Sequence, residues 1–256
     1  MNIYVLMKRT FDTEERIQLQ GDRIDEDSAE FIINPYDEYA IEEAVKLKES
    51  HDGEIVVLTV GTEESEKELR TALAMGADRA VLINAEDDYE DLDSSSVARI
   101  IAAYVAAQDV DVILAGNVAI DGGSGSVGPA VAELLDIPYV TTAVELIIDG
   151  TTAHITRDAE GDTEKVSVQL PFLMTCQQGL NEPRYPSLPG IMKAKKKPLD
   201  EVALDDIEVD DYEALTRREA LSLPADKAAG RILDGELTAQ IDELVGLLIH
   251  DRKIVG

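Results

Sequence analysis

Val110-Asp-Val-Ile-Leu-Ala-Gly116-Asn-Val-Ala-Ile-Asp121-Gly-Gly-Ser-Gly125-Ser-Val-Gly128-Pro129-Ala-Val-Ala-Glu-Leu-Leu-Asp136 is the stretch whose reading decides the fold. An apolar run ends at Gly116, a loop follows with glycines at 122, 123, 125 and 128, and a helix opens with Pro129 in its first turn. Strand, glycine loop and helix start are the building unit of open parallel sheets. Glycine lets backbone approach a ligand closely and adopt positive φ. The unpaired N–H groups of a helix N-terminus favour an anion, so the guest this unit suits is a phosphate. Gly123-Ser-Gly125-Ser-Val-Gly128 also spells G-x-G-x-x-G, but in the dinucleotide fingerprint the first glycine follows the strand directly. Here Asn117 to Gly122 intervene. The stretch therefore reads as a nucleotide site of another design; the bland alternative is a flexible loop capped by a helix.

Before this stretch, short apolar strands alternate with helices. Asn2 to Lys8 reads as a first strand, Glu54 to Val60 as a second, and Ala80 to Ile83 as a third. A polar segment, Asp12 to Glu30, carries an expected turn at Gln20-Gly21-Asp22. In Asn34-Pro35-Tyr36-Asp37-Glu38, Asn34 suits an N-cap, Pro35 the first helical position and Asp37 the acid of a capping box; one reading makes this a cap and nothing more. Helices are expected from there, over Glu63 to Met75 with Gly76 as the stop, and along the stripe Val97, Ile100, Ile101, Tyr104, Val105. Such alternation predicts an α/β fold, a mostly parallel sheet with helices on both faces. Ligands of these sheets sit beyond the carboxyl ends of the strands. Leu6, Val60 and Gly116 fall at those ends and Asn34 opens a helix on the same side, so four segments converge on one crevice.

After Pro138 the pattern turns antiparallel: Thr141 to Ile148, Thr152 to Arg157 and Lys165 to Leu170, with turns at Asp149-Gly150 and Gly161-Asp162. Pro183, Pro186 and Pro189 argue against a regular helix in the next segment. Lys193, Lys195, Lys196 and Lys197 then form a basic patch. Residues 198–256 read as a C-terminal arm beyond a 1–197 nucleotide-binding domain, ending in an amphipathic helix on Leu237, Ile241, Leu244, Val245 and Leu248.

The chain has 256 residues, 45% of them hydrophobic but only 4% aromatic, so its core is aliphatic. With 53 Asp and Glu against 23 Lys and Arg, the formal net charge is −30. Nucleic acid and anionic membrane surfaces are excluded as partners, since both require a basic footprint. The acidic excess is dispersed along the chain, as in proteins of high-salt cytoplasm where salt screens self-repulsion; an acidic mesophile is the alternative. One cysteine, Cys176, allows neither an internal disulfide nor a cysteine metal cluster and reads as a small buried thiol. Neither a signal peptide nor a membrane span of roughly 18 apolar residues is visible, so the expected location is cytoplasmic.

No catalytic set emerges. His51, His154 and His250 are scattered, and there is no G-x-S-x-G elbow, P-loop or H-E-x-x-H. Neither catalytic residues nor metal ligands are assigned, and the chain reads as a binding or carrier module. Four collinear blocks carry a resemblance: Asn34-Pro35-Tyr36-Asp37-Glu38; Arg70-Thr-Ala-Leu-Ala-Met-Gly-Ala-Asp-Arg79; Ala115-Gly116 with Ala119-Ile120-Asp121; and Leu180-Asn-Glu-Pro-Arg-Tyr185 with Ile191-Met-Lys-Ala-Lys-Lys-Lys197. From residue 1 to about 200 the chain resembles the β subunit of electron transfer flavoproteins.

The resemblance implies a heterodimer with an α subunit that holds the electron-carrying FAD, while β binds AMP in its own crevice. It implies flavin dehydrogenases, such as acyl-CoA dehydrogenases, as donors and a quinone oxidoreductase as acceptor. By motif, the nucleotide site falls on Leu6, Asn34, Pro35, Tyr36, Asp37, Val60, Gly116, Asn117, Val118, Ala119, Ile120, Asp121, Gly122, Gly123, Ser124, Gly125, Ser126 and Val127. Partner docking falls on Leu188, Pro189, Ile191, Met192, Lys193 and Lys196, with Leu188 as the knob; the alternative is that Leu188 packs internally. Asp158 stands where mitochondrial members have a glutamate near the flavin. Gly122 to Pro129 departs from those members and looks more like the branch that places a second FAD in β and bifurcates electrons from NADH, although the Thr-Ala-Gln run common in that branch is missing. The open glycine path tilts the reading toward a second FAD rather than AMP. Universal stress proteins are a remote alternative: Gly125 and Gly128 have the first spacing of their G-x2-G-x9-G-S/T loop, but position 138 is proline. A structural subunit without nucleotide is a further one.

Overall fold

The computed structural model describes residues 1–251 apart from Asp22, Asp27, Ser28, Asp87 and Ala228, with only the backbone of Glu90 and Asp251. Asp22 of the expected turn lies outside the described residues; Gly21 beside it has φ +72°. The chain divides into two compact units, 1–220 and 221–256.

In the first unit the elements run β1 (Asn2–Leu6), β2 (Arg9–Phe11), β3 (Leu19–Gln20), β4 (Arg23–Ile24), β5 (Phe31–Ile33), α1 (Pro35–His51), β6 (Glu54–Gly61), α2 (Glu66–Met75) and β7 (Arg79–Asn84). Then come α3 (Ser94–Ala106), β8 (Val112–Gly116), α4 (Val127–Leu134), β9 (Tyr139–Asp149), β10 (Thr152–Ala159), β11 (Asp162–Gln169), β12 (Phe172–Cys176), α5 (Leu188–Ala194) and β13 (Leu199–Ala203). One nine-stranded sheet has the order β11-β10-β9-β12-β8-β1-β6-β7-β13. Every pairing from β9 to β13 through β12, β8, β1, β6 and β7 is parallel, and β9, β10 and β11 form an antiparallel extension. The α/β expectation holds, including the antiparallel turn after Pro138.

Period-two alternation sorts the core onto two faces. Ile3 and Val5 of β1 join Ile41, Leu69 and Leu73 from α1 and α2 on one side, while Tyr4 and Leu6 join Ile100, Ile101 and Val131 from α3 and α4 on the other. β1 is therefore covered on both faces, as a central parallel strand must be.

Besides the small β2–β5 and β3–β4 pairs, two strands of the nine-stranded sheet were not expected. Phe172–Cys176 is fully buried between β8 and β9, and Leu199–Ala203 forms the far edge beside β7. The helix that three prolines argued against also exists. α5 starts at Leu188 with Pro189 in its first turn, where the missing N–H costs nothing, and Ser187 Oγ accepts from Gly190 N at 3.1 Å. Among the described residues no helix is long and apolar enough to cross a membrane. In the second unit, α6 (Leu237–Gly246) exposes Leu237, Ile241, Leu244 and Val245.

Candidate nucleotide-binding site

β6 lies on one side of β1 and β8 on the other, so the strand order turns at β1 and opens a crevice beyond the carboxyl ends. Buried Leu6 and Val60 supply an apolar floor, and Gly116 closes β8 beside them. Residues 117–126 and the first turn of α4 supply the wall.

Asn34 stands at the N-cap position, yet its side chain makes no capping bond. Its own carbonyl already accepts from the N–H groups of Asp37 (2.8 Å) and Glu38 (3.3 Å), which frees the carboxamide for longer reach. Asn34 Nδ2 donates to Asp37 Oδ1 and to Val118 O, both at 3.0 Å, and Asn34 Oδ1 accepts from Ile120 N at 3.2 Å. Asp37 is likewise no capping-box acid. Its Oδ2 accepts from Lys8 N at 2.7 Å and its Oδ1 from Gly116 N at 3.0 Å. The cap-only reading is corrected: Asn34 and Asp37 stitch the start of α1 to the end of β1, to β8 and to the glycine loop. Burial pushes the Asp37 carboxyl up to about 7, against the pull of the Asn34, Lys8 and Gly116 N–H donors.

The glycines divide by role. A Cβ on Gly116 would stand 2.2 Å from Asp37 Oδ1 and 2.8 Å from Tyr36 Cβ, so this glycine admits α1 rather than a ligand. A Cβ on Gly128 would meet Thr175 Cγ2 at 3.0 Å, which seats α4 on β12. At Gly122 and Gly123 a Cβ would meet no atom within 4 Å, and at Gly125 only Asn117 O at 3.2 Å. Gly123 and Gly125 have φ of +67° and +58°, which favour glycine. The N–H groups of Ser124, Gly125 and Val127 have no acceptor among the described residues. An open, exposed arc of unpaired donors at a helix start fits a phosphate. The floor beside it is apolar, as a nucleotide's base or a flavin requires.

Three residues of this region were not foreseen. Lys8 Nζ pairs with the Asp121 carboxylate at 2.7 Å, and Asp121 Oδ1 also accepts from Gly122 N at 2.6 Å, which pins the entry to the loop. Tyr89 stands near the same carboxylate: burial, and then the charge of Asp121, raise its hydroxyl. Thr175 Oγ1 donates to Asn117 Oδ1 at 3.0 Å. Tyr89 had a sequence signal, as one of few aromatics in an aliphatic chain; Lys8 and Thr175 had none.

The 180–197 segment is held from beneath. Arg184 clasps Glu42 through Nε (2.8 Å) and Nη2 (2.9 Å), donates to it from its backbone N, and reaches Glu49. Asn181 Nδ2 donates to Tyr39 O and Glu43 Oε2. Glu42 and Glu43 are buried on α1, so the Asn-Glu-Pro-Arg block is the fitted partner of these two carboxylates. On this base Leu188 is 79% exposed, with Ile191 and Met192 exposed beside it, which overturns the internal-packing alternative. A groove of about 500 Å³ between α2 and α5 runs past Arg70, Pro186 and Ile191. Pro189, Lys193, Lys195 and Lys196 face solvent. Lys197 leaves the basic patch, because its Nζ caps α2 by donating to Leu73 O (2.9 Å) and Ala77 O (2.5 Å). Asp158 lies on β10, with β9 and β12 between it and β8, and its side chain is exposed.

Comparison with known proteins bears directly on this architecture. The model of the electron transfer flavoprotein domain matches residues 23–207. The chain is 58% identical over its whole length to the electron transfer flavoprotein subunit beta of Bacillus subtilis, which it also covers completely. It is 41% identical to the corresponding subunit of Syntrophomonas wolfei, over 92% of this chain and 91% of that one. With the subunit of Homo sapiens it shares 36% identity over 82% of this chain and 84% of that one. Fold, family match and full-length identity agree: the chain belongs to the electron transfer flavoprotein β-subunit family.

Proposed function

We propose that this chain is the β half of a cytoplasmic, heterodimeric electron carrier, with an adenine nucleotide in the crevice at β1 and β8. The observation that carries the reading is the arc Gly122 to Val127, open in front and with the N–H groups of Ser124, Gly125 and Val127 unpaired among the described residues. It is led into by Gly116, Val118 and Ile120, which Asn34 and Asp37 hold. AMP uses the phosphate arc and the apolar floor; FAD uses the same arc and continues along the glycines, which leave its path clear. The relatives' name implies an α subunit, and the exposed apolar face of α6 is a surface for it. FAD held with α would supply one- and two-electron redox chemistry, and the exposed Asp158 on β10 is the residue we assign to its surroundings. Leu188, Pro189, Ile191 and Met192 form an apolar knob for a flavin dehydrogenase, with Lys193 and Lys196 steering acidic surfaces toward it. Electrons pass on to a quinone oxidoreductase; oxidation of NADH with bifurcation is the second reading, favoured by the glycine path if two FAD are bound.

Coexpression with the α subunit encoded by the same organism tests this. The pair should copurify, carry flavin, and pass electrons from a reduced acyl-CoA dehydrogenase to a dye. A chain that stays alone, or a flavin-loaded pair that no dehydrogenase reduces, contradicts the reading.

A further inference from the structure

Thr142 is a β-branched residue at φ +56°, a conformation that persists only where the surroundings enforce it. It sits where β9 slips in register against β12, between the Met174–Val140 and Cys176–Ala143 pairs, and two residues before Val144, where β9 slips against β10. Four contacts enforce it. Arg157 Nε and Nη2 donate to Thr141 O (3.0 Å) and Thr141 Oγ1 (3.1 Å), Thr142 Oγ1 donates to Asp158 O at 2.5 Å, and Thr142 N donates to Thr175 Oγ1 at 3.0 Å.

That last bond has a consequence one residue further on. Thr175 is 1% exposed, and its hydroxyl, accepting from Thr142, gives its own proton to Asn117 Oδ1 at 3.0 Å. The Asn117 backbone N–H is taken by Cys176 O at 2.9 Å. Anchoring Oδ1 fixes the plane of the carboxamide, and its Nδ2 has no acceptor among the described residues. Asn117 directly follows Gly116 and opens the loop that walls the crevice. An ordered amide with a free N–H2 in such a place is a prepared donor.

We infer that Thr142 and Thr175 are positioning residues: the bulge N–H orients the Thr175 hydroxyl, the hydroxyl orients Asn117, and Asn117 Nδ2 donates to an acceptor atom of the crevice nucleotide. This rests on the nucleotide reading above. The acceptor is a phosphate oxygen or a ring nitrogen of the base; both receive a neutral donor in the same way.

The test uses the α/β pair stripped of its crevice nucleotide and titrated with AMP and with adenosine. Thr175→Val keeps the shape and removes the hydroxyl, while Thr175→Ser keeps the hydroxyl. Asn117→Asp keeps the acceptor that Thr175 needs but replaces the N–H2 donor, so its melting temperature stays near wild type even if Thr175→Val folds poorly. Thr175→Val and Asn117→Asp should each weaken AMP about tenfold or more, and Thr175→Ser by less than about twofold. If adenosine weakens in parallel the acceptor is on the base; if adenosine is spared it is the phosphate. Asn117→Asp binding AMP as wild type does, or Thr175→Ser binding as poorly as Thr175→Val, overturns the relay and leaves the nucleotide site standing. A stripped wild-type pair that binds neither AMP nor FAD removes the site itself and the relay with it.

Discussion

Asp37 and Gly116 hold each other in place: the Gly116 N–H donates to Asp37 Oδ1 at 3.0 Å, and that same oxygen lies 2.2 Å from where a Cβ on residue 116 would stand. The contact joins the first turn of α1 to the end of β8. It exists only because one partner has no side chain and the other has a short one. The floor of the crevice is set by this fit, and its open side by the glycines that meet nothing.

Two glycine substitutions should therefore fail in different ways. Gly116→Ala drives a methyl into the Asp37 carboxyl and the Tyr36 side chain, and should cost about 2–3 kcal/mol in denaturant unfolding. Gly122→Ala meets no atom within 4 Å and has no positive φ to lose. It should change stability by less than about 0.5 kcal/mol while reducing retained nucleotide. Equal stability losses at the two positions would refute the division of roles.

Asp37 also predicts a pH dependence. Its carboxyl is raised from the usual range to about 7, chiefly by burial. The folded state then holds a proton that the unfolded chain, with a carboxyl near 4, has released. This contribution to stability is present below about pH 4 and is lost as pH rises through about 7. Measured in high salt, which mutes the general carboxylate repulsion, wild type should lose stability over that window relative to Asp37→Asn. A stability difference that rises with pH instead would show that the three N–H donors outweigh burial.

Leu188→Ala should slow electron transfer from a subsaturating dehydrogenase with flavin content and melting temperature unchanged, since a buried hot-spot side chain contributes about 2 kcal/mol or more at an interface. Arg184→Ala should impair the same transfer by another route. It leaves Glu42, which is 6% exposed, without its clasp, and should cost about 2 kcal/mol of stability, less than a fully buried pair because Arg184 is partly solvated. A Leu188→Ala pair with wild-type rates removes the docking role.

The parallel core was legible because Ile3, Val5, Val57 and Leu114 recur in short apolar runs, and the crevice because those runs end together. What escaped was set by neighbours distant in sequence. Phe172–Cys176 follows Pro171 closely and shows no alternation, being buried on both faces; Leu199–Ala203 looks polar because Asp200 and Glu201 face solvent on the sheet edge. Asn34 has the same letters whether it caps α1 or reaches Val118 84 residues away. Nor does the sequence distinguish Gly116, which admits α1, from Gly122, which faces open space. The Asn-Glu-Pro-Arg block was visible as a resemblance, but its reason, the buried Glu42 and Glu43, needed the fold.

Salt should act on the whole chain. At net charge −30 the carboxylates repel over a Debye length of about 30 Å at 0.01 M salt and about 3 Å at 1 M. The melting temperature should climb with potassium chloride and then level off. A flat series contradicts adaptation to a salty cytoplasm.

The central claim is that the arc from Gly122 to Val127 holds an adenine nucleotide of its own, beyond the flavin shared with α. Acid extraction of the purified pair, followed by chromatography against AMP and FAD standards, tests it most directly. The account predicts two nucleotides per heterodimer, either one FAD with one AMP or two FAD, and loss of one of them in Gly122→Ala. One FAD and nothing else in the wild-type pair would contradict it.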